Sequence, residues 1–145
     1  MISFDTNILL CSLNPSSSWH AKATQFLEES LTNERVAIAD YVLVELYTLL
    51  RNPAVMKKPL DSKRASELVL NYFKYPSVIR IENAPVMDFV WKMAEGPSFA
   101  RRRIFDARLG MTLRHHGVTH FATANVKDFK GMGFEKVWNP LIDEA

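Results

Sequence analysis

The chain contains a single cysteine, Cys11, among its 145 residues. One thiol cannot form an internal disulfide, and a lone cysteine fits the reducing cytoplasm. No apolar stretch approaches the roughly 20 residues that a membrane-spanning helix needs. The first apolar run is interrupted by Asp5 and has no basic segment before it, which argues against a signal peptide. We therefore expect a cytoplasmic protein that is not inserted in a membrane.

The chain also lacks internal repeats, low-complexity segments and long linkers, so its length predicts one domain over residues 1–145. The net charge of +2 is small, but the basic residues are clustered. Arg101, Arg102 and Arg103 are consecutive, and five further lysines and arginines lie between residues 51 and 64. Such clusters either form a solvated surface or attract polyanions such as nucleic acid.

Short apolar runs alternate with longer segments of helical periodicity along the whole chain. The runs predict strands over residues 2–5, 36–39, 78–81 and 118–123, with a short last strand near Val137. Helices are predicted over residues 19–32, 41–51, 62–74, 85–94 and 104–115. Candidate caps are the serines at 16–18, Asp40, Asp61 and Gly117. This alternation predicts an α/β fold, a three-layer α/β/α sandwich with a mostly parallel central sheet.

Asp5 is the most informative residue because it directly follows the first apolar run, Ile2-Ser3-Phe4. A carboxylate in that position is expected at the carboxyl end of a strand. In open α/β sheets, ligands bind at the carboxyl ends of the strands. Asp5 therefore marks the edge of the sheet where a site is expected.

Three other acids stand in unusual places. Glu45 has apolar neighbours and is expected to be partly buried, which is costly for a carboxylate without a partner or a metal. Asp106 lies near the start of a predicted helix, where negative charge is favoured, and taken alone it is a first-turn acid. Asp128 follows the last long strand, and taken alone it is a turn residue.

Taken together, these acids can meet at one edge of the sheet, beside Asn125. Clustered carboxylates raise one another's pKa unless a cation neutralises them. Oxygen ligands suit Mg²⁺ or Mn²⁺. A cation held in this way activates water and stabilises charge on a phosphate, so the cluster predicts phosphodiester hydrolysis.

Four segments of the chain carry a resemblance to a known family. They are residues 1–9, Val44-Glu45, Phe105-Asp106-Ala107 and residues 122–129. In their order and spacing they resemble the successive acidic motifs of the PIN domain, and more narrowly those of VapC toxins from bacterial toxin–antitoxin pairs. The resemblance implies a Mg²⁺- or Mn²⁺-dependent endoribonuclease. It also implies a homodimer that is inhibited by a small antitoxin encoded alongside.

The resemblance assigns roles to individual residues. Asp5, Glu45 and Asp106 correspond to the first three acids and to the metal ligands. Thr6 and Asn7 support the first acid, and Thr123 lies in the fourth motif.

The fourth motif departs from the common pattern. Many PIN domains have an aspartate where this chain has Asn125, whose amide oxygen can accept but carries no charge. Asp128, about one helical turn further, is the candidate for the missing carboxylate, either as a ligand or behind the ligands.

The mechanistic hypothesis places the cation on Asp5 and Asp106, with Glu45 as a further ligand or as the group that orients the attacking water. The arginines at 101–103, with Lys127, would hold the RNA backbone without sequence preference.

Alternative interpretations remain open at this point. A phosphatase of the haloacid dehalogenase type needs a second aspartate where the chain has Asn7. The histidines at 115, 116 and 120 lack the further ligands of a zinc site. A non-catalytic module that binds an antitoxin or nucleic acid through a degenerate acidic pocket is the main rival. A face with Tyr41, Leu43 and Tyr47 is a candidate for contact with a second copy or an antitoxin.

Overall fold

Five short parallel strands form the central sheet of the structure, a computed structural model that describes residues 1–142. Neighbouring strands are parallel throughout, and their order across the sheet is β3-β2-β1-β4-β5. The register pairs Phe4 with Ala122 and Ala39 with Ile81. The strands are β1 (Ile2–Phe4), β2 (Val36–Ala39), β3 (Val78–Ile81), β4 (His120–Ala122) and β5 (Lys136–Trp138).

Within residues 1–142, seven helices connect the strands. They are α1 (Thr6–Leu13), α2 (His20–Asn33), α3 (Asp40–Leu50), α4 (Ser62–Asn71), α5 (Met87–Ala94), α6 (Arg103–His115) and α7 (Val126–Phe129). A single 3₁₀ turn, Tyr72–Lys74, continues α4. None of the helices in residues 1–142 is long and apolar enough to cross a membrane.

The chain reverses its direction across the sheet at β1. It proceeds from β1 to β2 and β3 on one side, and then returns to place β4 and β5 on the other side of β1. Since crossovers between parallel strands are right-handed, α1 to α4 cover one face of the sheet and α5 to α7 cover the other. The predicted three-layer α/β/α architecture is confirmed. The gap between the carboxyl ends of β1 and β4 is the topological switch point, where ligands bind in such sheets.

The core lies on both faces of β1, β2 and β4, whose residues are almost all buried. Fully parallel sheets are covered on both sides, which explains why these strands are nearly continuous apolar runs. Ile8 and Leu9 of α1, Leu46 of α3 and Leu113 of α6 are among the side chains that pack against them. A rigid, buried sheet thus fixes the positions of the residues that follow β1 and β4.

Several predicted helix starts are wrong in detail. The serines at 16–18 do not cap α2: Trp19 holds the cap position without a side-chain hydrogen bond, and the Ser17 hydroxyl accepts from the Trp19 amide in the preceding turn. Asp40 is not a cap but the first residue of α3, because Arg80 on the neighbouring strand binds its carboxylate. Pro85 precedes α5 by two residues.

Two other caps follow the prediction. Asp61 caps α4 by accepting from the Arg64 amide at 2.8 Å. Gly117 follows α6 with a φ of 86°, a conformation in which a side chain would be strained.

Candidate active site

Asp5 lies at the end of β1, in the switch point, and its side chain is only 8 % exposed. Its Oδ1 accepts a hydrogen bond from the Thr6 amide at 2.8 Å, and this bond caps the start of α1. Its Oδ2 accepts from the Thr123 hydroxyl at 2.7 Å and from the Asn7 side-chain amide at 3.4 Å. The carboxylate is therefore held in one orientation by groups from both sides of the switch point.

The fourth motif is joined to the first by a short hydrogen-bond network. The Asp5 amide donates to the Ala122 carbonyl at 2.8 Å, and the Asn7 side-chain oxygen accepts from the Ala124 amide at 3.1 Å. Thr123 is fully buried, and its hydroxyl also accepts from the Asn125 amide at 3.0 Å. The network positions Thr123 as the donor that orients Asp5.

Burial raises the pKa of the Asp5 carboxyl, and the negative charge of Asp128 adds to the increase. The hydrogen bonds from Thr123, Thr6 and Asn7 oppose it, but burial outweighs them. A carboxylate with this balance is costly to keep ionised, and nearby positive charge would relieve that cost.

Asp106 lies in the first turn of α6, on the opposite face of the sheet from α1. The pKa of Asp106 is raised to about 6, mainly by desolvation and in addition by the charges of Asp128, Asp5 and Glu45, while the charge of Arg103 opposes the increase. Charges act at this strength only over short distances. Asp128, Asp5 and Glu45 therefore lie near enough to Asp106 for their charges to act on it.

Glu45 lies nearer the surface than Asp5 and is partly desolvated, as the sequence predicted. It is exposed on α3, next to Val44, which is also exposed. Partial desolvation raises the pKa of Glu45, and the charge of Asp5 adds to the increase, while a hydrogen bond with the Thr6 side chain opposes it. Glu45 thus lies at the rim of the pocket, with its apolar sequence neighbours divided between the core and the surface.

Asp128 and Asn125 are both exposed, and they occupy different positions. Asp128 lies on α7, a helix that was not predicted, and its charge acts on both Asp5 and Asp106. Asn125 precedes α7 and makes no side-chain cap. Of the two, Asp128 supplies the fourth negative charge of the pocket.

Two curated relatives match the chain over its full length. Both are named Ribonuclease VapC24, from two strains of Mycobacterium tuberculosis, CDC 1551 / Oshkosh and ATCC 25618 / H37Rv. Each is 46% identical over 145 residues, which is 100% of both chains. This chain belongs to the VapC ribonuclease family. No protein-family model matches the chain.

Solved structures support the same fold at much lower identity. VapC20 of Mycobacterium tuberculosis, described as a sarcin–ricin loop cleaving toxin, aligns with a TM-score of 0.67 at 18% identity, over 92% of this chain and 96% of its own. FitAcB from Neisseria gonorrhoeae aligns with a TM-score of 0.65 at 20% identity, over 99% and 100%. FitAB bound to an IR36 DNA fragment aligns with a TM-score of 0.63 at 18% identity, over 100% and 99%. The predicted membership of the VapC family is confirmed by the curated relatives, and the solved structures confirm the predicted fold.

Within this VapC chain the three consecutive arginines lie in two different settings. Arg101 and Arg102 are exposed in the turn before α6. Arg103 is half-buried as the first residue of α6, and its guanidinium lies 5.8 Å from the ring centre of Phe99. Its charge also lowers the pKa of Asp106. Arg103 therefore belongs to the acid pocket as well as to the basic segment.

The chemistry of the VapC pocket fits a divalent cation, since its donors are carboxylate, hydroxyl and amide oxygens. In the arrangement of residues 1–142, however, no three His, Cys, Asp or Glu side chains lie close enough to bind one ion together. Asp5 is buried and held by its hydrogen bonds, whereas Glu45 lies on the exposed surface of α3. A shared ion would need the exposed acids to move toward Asp5.

The sequence interpretation missed α1, although the signal was present. Asp5 is a good N-cap residue, and the segment after it continues with apolar residues at helical spacing. Ile8 and Leu9 of this helix are fully buried. The predicted contact face on α3 is partly wrong, because Leu43 is buried in the core, whereas Tyr41 and Tyr47 are half-buried.

Proposed function

We propose that this VapC chain hydrolyses RNA phosphodiester bonds with Mg²⁺ or Mn²⁺ held by Asp5, Asp106 and Glu45. One observation carries the proposal: the buried Asp5 carboxylate lies at the switch point, and the charges of Asp106, Glu45 and Asp128 converge there. Acids that raise one another's pKa in one pocket are typical of cation-dependent sites. When bound, a divalent cation supplies positive charge against the phosphate and lowers the pKa of water.

The residues around Asp5 would each have a separate role in the reaction. Thr123, Thr6 and Asn7 hold Asp5 in one orientation, so this ligand needs no ordering before the reaction. Glu45 lies on α3 and Asp106 lies in the first turn of α6, so the two acids would reach a cation on Asp5 from different helices. Glu45 at the rim would ligate the cation or accept a proton from the attacking water.

The experiment compares Asp5→Asn with Asp88→Asn, an equal charge change on an exposed first-turn acid of α5. Purified protein is incubated with total RNA in EDTA, Mg²⁺ or Mn²⁺, and the new RNA ends are sequenced. We expect cleavage only with a divalent cation, at least a hundredfold slower for Asp5→Asn and unchanged for Asp88→Asn. Titration calorimetry with Mn²⁺ should show weaker binding for Asp5→Asn alone.

Two outcomes would contradict the proposal. Cleavage in EDTA would exclude the cation. If Mn²⁺ binds but antitoxin-free protein cleaves no RNA, the chain would instead be a non-catalytic module that binds an antitoxin or nucleic acid.

We also propose that the chain acts in the cytoplasm as a homodimer that a small antitoxin inhibits. The resemblance to VapC toxins supports these partners. Val44 and Tyr47 on the outer face of α3 offer a surface for contact, since Val44 is 65% exposed. A short reading frame beside this gene and a dimer in sedimentation equilibrium are the expected observations.

A further inference from the structure

A cavity of about 430 Å³ lies beside the acid pocket, at the carboxyl ends of β4 and β5. It is lined by residues 124–128, by residues 137–139 and by Ile142. Asp128 belongs both to this lining and to the acid cluster, since its charge acts on Asp5 and Asp106. Asp128 therefore connects the cavity to the acids around Asp5.

The lining combines apolar walls with polar groups at the rim. Val126, Val137 and Ile142 supply apolar surface, and Trp138 forms a further wall. Asn125 offers an amide that both donates and accepts, and Lys127 offers an exposed positive charge. A nucleotide has matching parts: a flat apolar base with a polar edge, and a phosphate.

Trp138 is fixed before any ligand arrives. Its ring meets Phe26 edge-on, with centroids 6.0 Å apart, and His120 in the same way at 6.4 Å. The Lys136 ammonium lies 4.4 Å from the ring centre. A wall held by three side chains loses little freedom when a ligand binds, which favours affinity.

A second cavity, of about 380 Å³ between α3, α4 and β3, has different chemistry. Its charged residues, Asp40 and Arg80, neutralise each other in an ion pair at 2.7 Å. Its lining includes neither Asp5 nor Asp128. This cavity offers an RNA strand neither unpaired positive charge nor proximity to the acids.

We propose that the cavity between α7 and β5 receives one unpaired nucleobase of the RNA, next to the phosphate that the acids cleave. A base within a duplex is stacked and paired, so it cannot enter a cavity with its face and edge free. The enzyme would therefore cut RNA at nucleotides that can leave the stack. This inference rests on the proposed function and specifies its substrate.

The test uses full-length protein that carries Asp5→Asn, which prevents cleavage, and a single-stranded RNA oligonucleotide that the parent cleaves. In a set of oligonucleotides, each nucleotide in turn is replaced by an abasic ribose. Affinity is measured by fluorescence anisotropy. We expect one abasic position near the cleaved bond to weaken binding about tenfold, the loss typical of one stacked base, and the fully paired duplex to bind at least as weakly.

The decisive comparison adds Val126→Trp, which fills the cavity at a residue outside the hydrophobic core. The abasic effect should then disappear. Leu70→Trp is the matched control, because Leu70 is exposed and lines the second cavity. With Leu70→Trp the tenfold effect should remain. Ile142→Trp repeats the test if Val126→Trp does not fold, as judged by circular dichroism.

Equal abasic effects with and without the filled cavity would overturn the proposal, as would equal affinity for duplex and single strand. The parent protein is assayed for cleavage in parallel. If the parent cleaves RNA but the abasic effect is the same with and without the filled cavity, only the base subsite is rejected. If the parent cleaves no RNA at all, the proposed function is rejected.

Discussion

Two regions of the molecule differ in whether their carboxylates form ion pairs. At the edge of the sheet beside β3, the Asp40 carboxylate accepts a hydrogen bond from Arg80 Nε at 2.7 Å. The two opposite charges neutralise each other in this ion pair. In the switch point, Asp5 and Asp106 have no salt bridge within residues 1–142, although Asp128 and Glu45 add further negative charge. A protein selected for stability alone would pair these acids. Unpaired carboxylates that repel one another lower the stability of the folded protein. Their presence in one pocket therefore indicates a functional site.

Arg103 places a positive charge near the acids of the switch point. Its charge lowers the pKa of Asp106, but burial and the three other acids outweigh it, so the pKa remains near 6. Unlike Arg80, it forms no salt bridge with an acid in the part of the chain that the structure describes. Arg103 therefore reduces the net negative charge of the pocket without forming an ion pair with Asp106.

The largest expected difference between the two regions is in catalysis. Asp106→Asn should slow RNA cleavage in Mg²⁺ by at least about a hundredfold, because cation and water interactions of this kind contribute several kcal/mol. Asp40→Asn removes one carboxylate from the paired region and should change the rate less than about twofold. Single-turnover cleavage with excess protein measures both. Similar losses in the two variants would remove the distinction between the regions.

Asp128 and Asn125 offer a finer test within the pocket. Asp128→Asn should slow cleavage about tenfold, since it removes a charge that acts on both Asp5 and Asp106. Asn125→Ala should have a smaller effect, since its backbone amide, which donates to Thr123, is retained. The same cleavage assay decides the order. A larger loss for Asn125→Ala would place the fourth ligand at Asn125.

Asp106→Asn should increase the stability of the folded protein at pH 7, although it should slow RNA cleavage. The folded pKa of Asp106, about 6, lies above the ordinary value of 3.8, so the folded protein binds this proton more tightly. Stability therefore falls as pH rises from about 4 through 6. Asp106→Asn removes that loss and should stabilise the protein at pH 7 by about 1 kcal/mol, since solvent screens a half-exposed group.

The matched variant for stability is again Asp40→Asn, which breaks the ion pair with Arg80 and should cost about 0.5 kcal/mol. Urea denaturation in EDTA, at pH 5 and pH 7, measures both variants. If Asp106→Asn were less stable than the parent at pH 7, the pocket would not carry uncompensated repulsion.

The smallest expected effect concerns the basic segment. Charge reversal at Arg101 and Arg102 should weaken RNA binding severalfold for every sequence. It should also lower the slope of log affinity against log salt by about 1 for each phosphate that the protein no longer neutralises. The same reversal at Lys57 and Lys58, two exposed residues of another basic cluster, is the control. An unchanged affinity and slope would leave the arginines without a role in RNA binding.

Among the residues that the structure describes, sequence patterns predicted every strand and five of the seven helices, because apolar runs and helical periodicity are local signals. They missed α1 and α7, which are short and directly follow the strands that end at the site. Helix starts were less predictable, since the Asp40 side chain binds a residue forty positions away instead of capping α3. Pairing between distant residues is decided by the tertiary fold.

The sequence by itself determined the fold class and the family, because the alternation of strands and helices and the order of the acidic motifs are local patterns along the chain. Only the tertiary structure decided how those acids differ. It buries Asp5 and orients it with hydrogen bonds from Thr123 and Asn7, leaves Glu45 exposed, and brings Asp128 close enough for its charge to act on Asp5 and Asp106. The physical reason is that burial and Coulomb interactions depend on distances across the switch point, which joins residues more than a hundred positions apart.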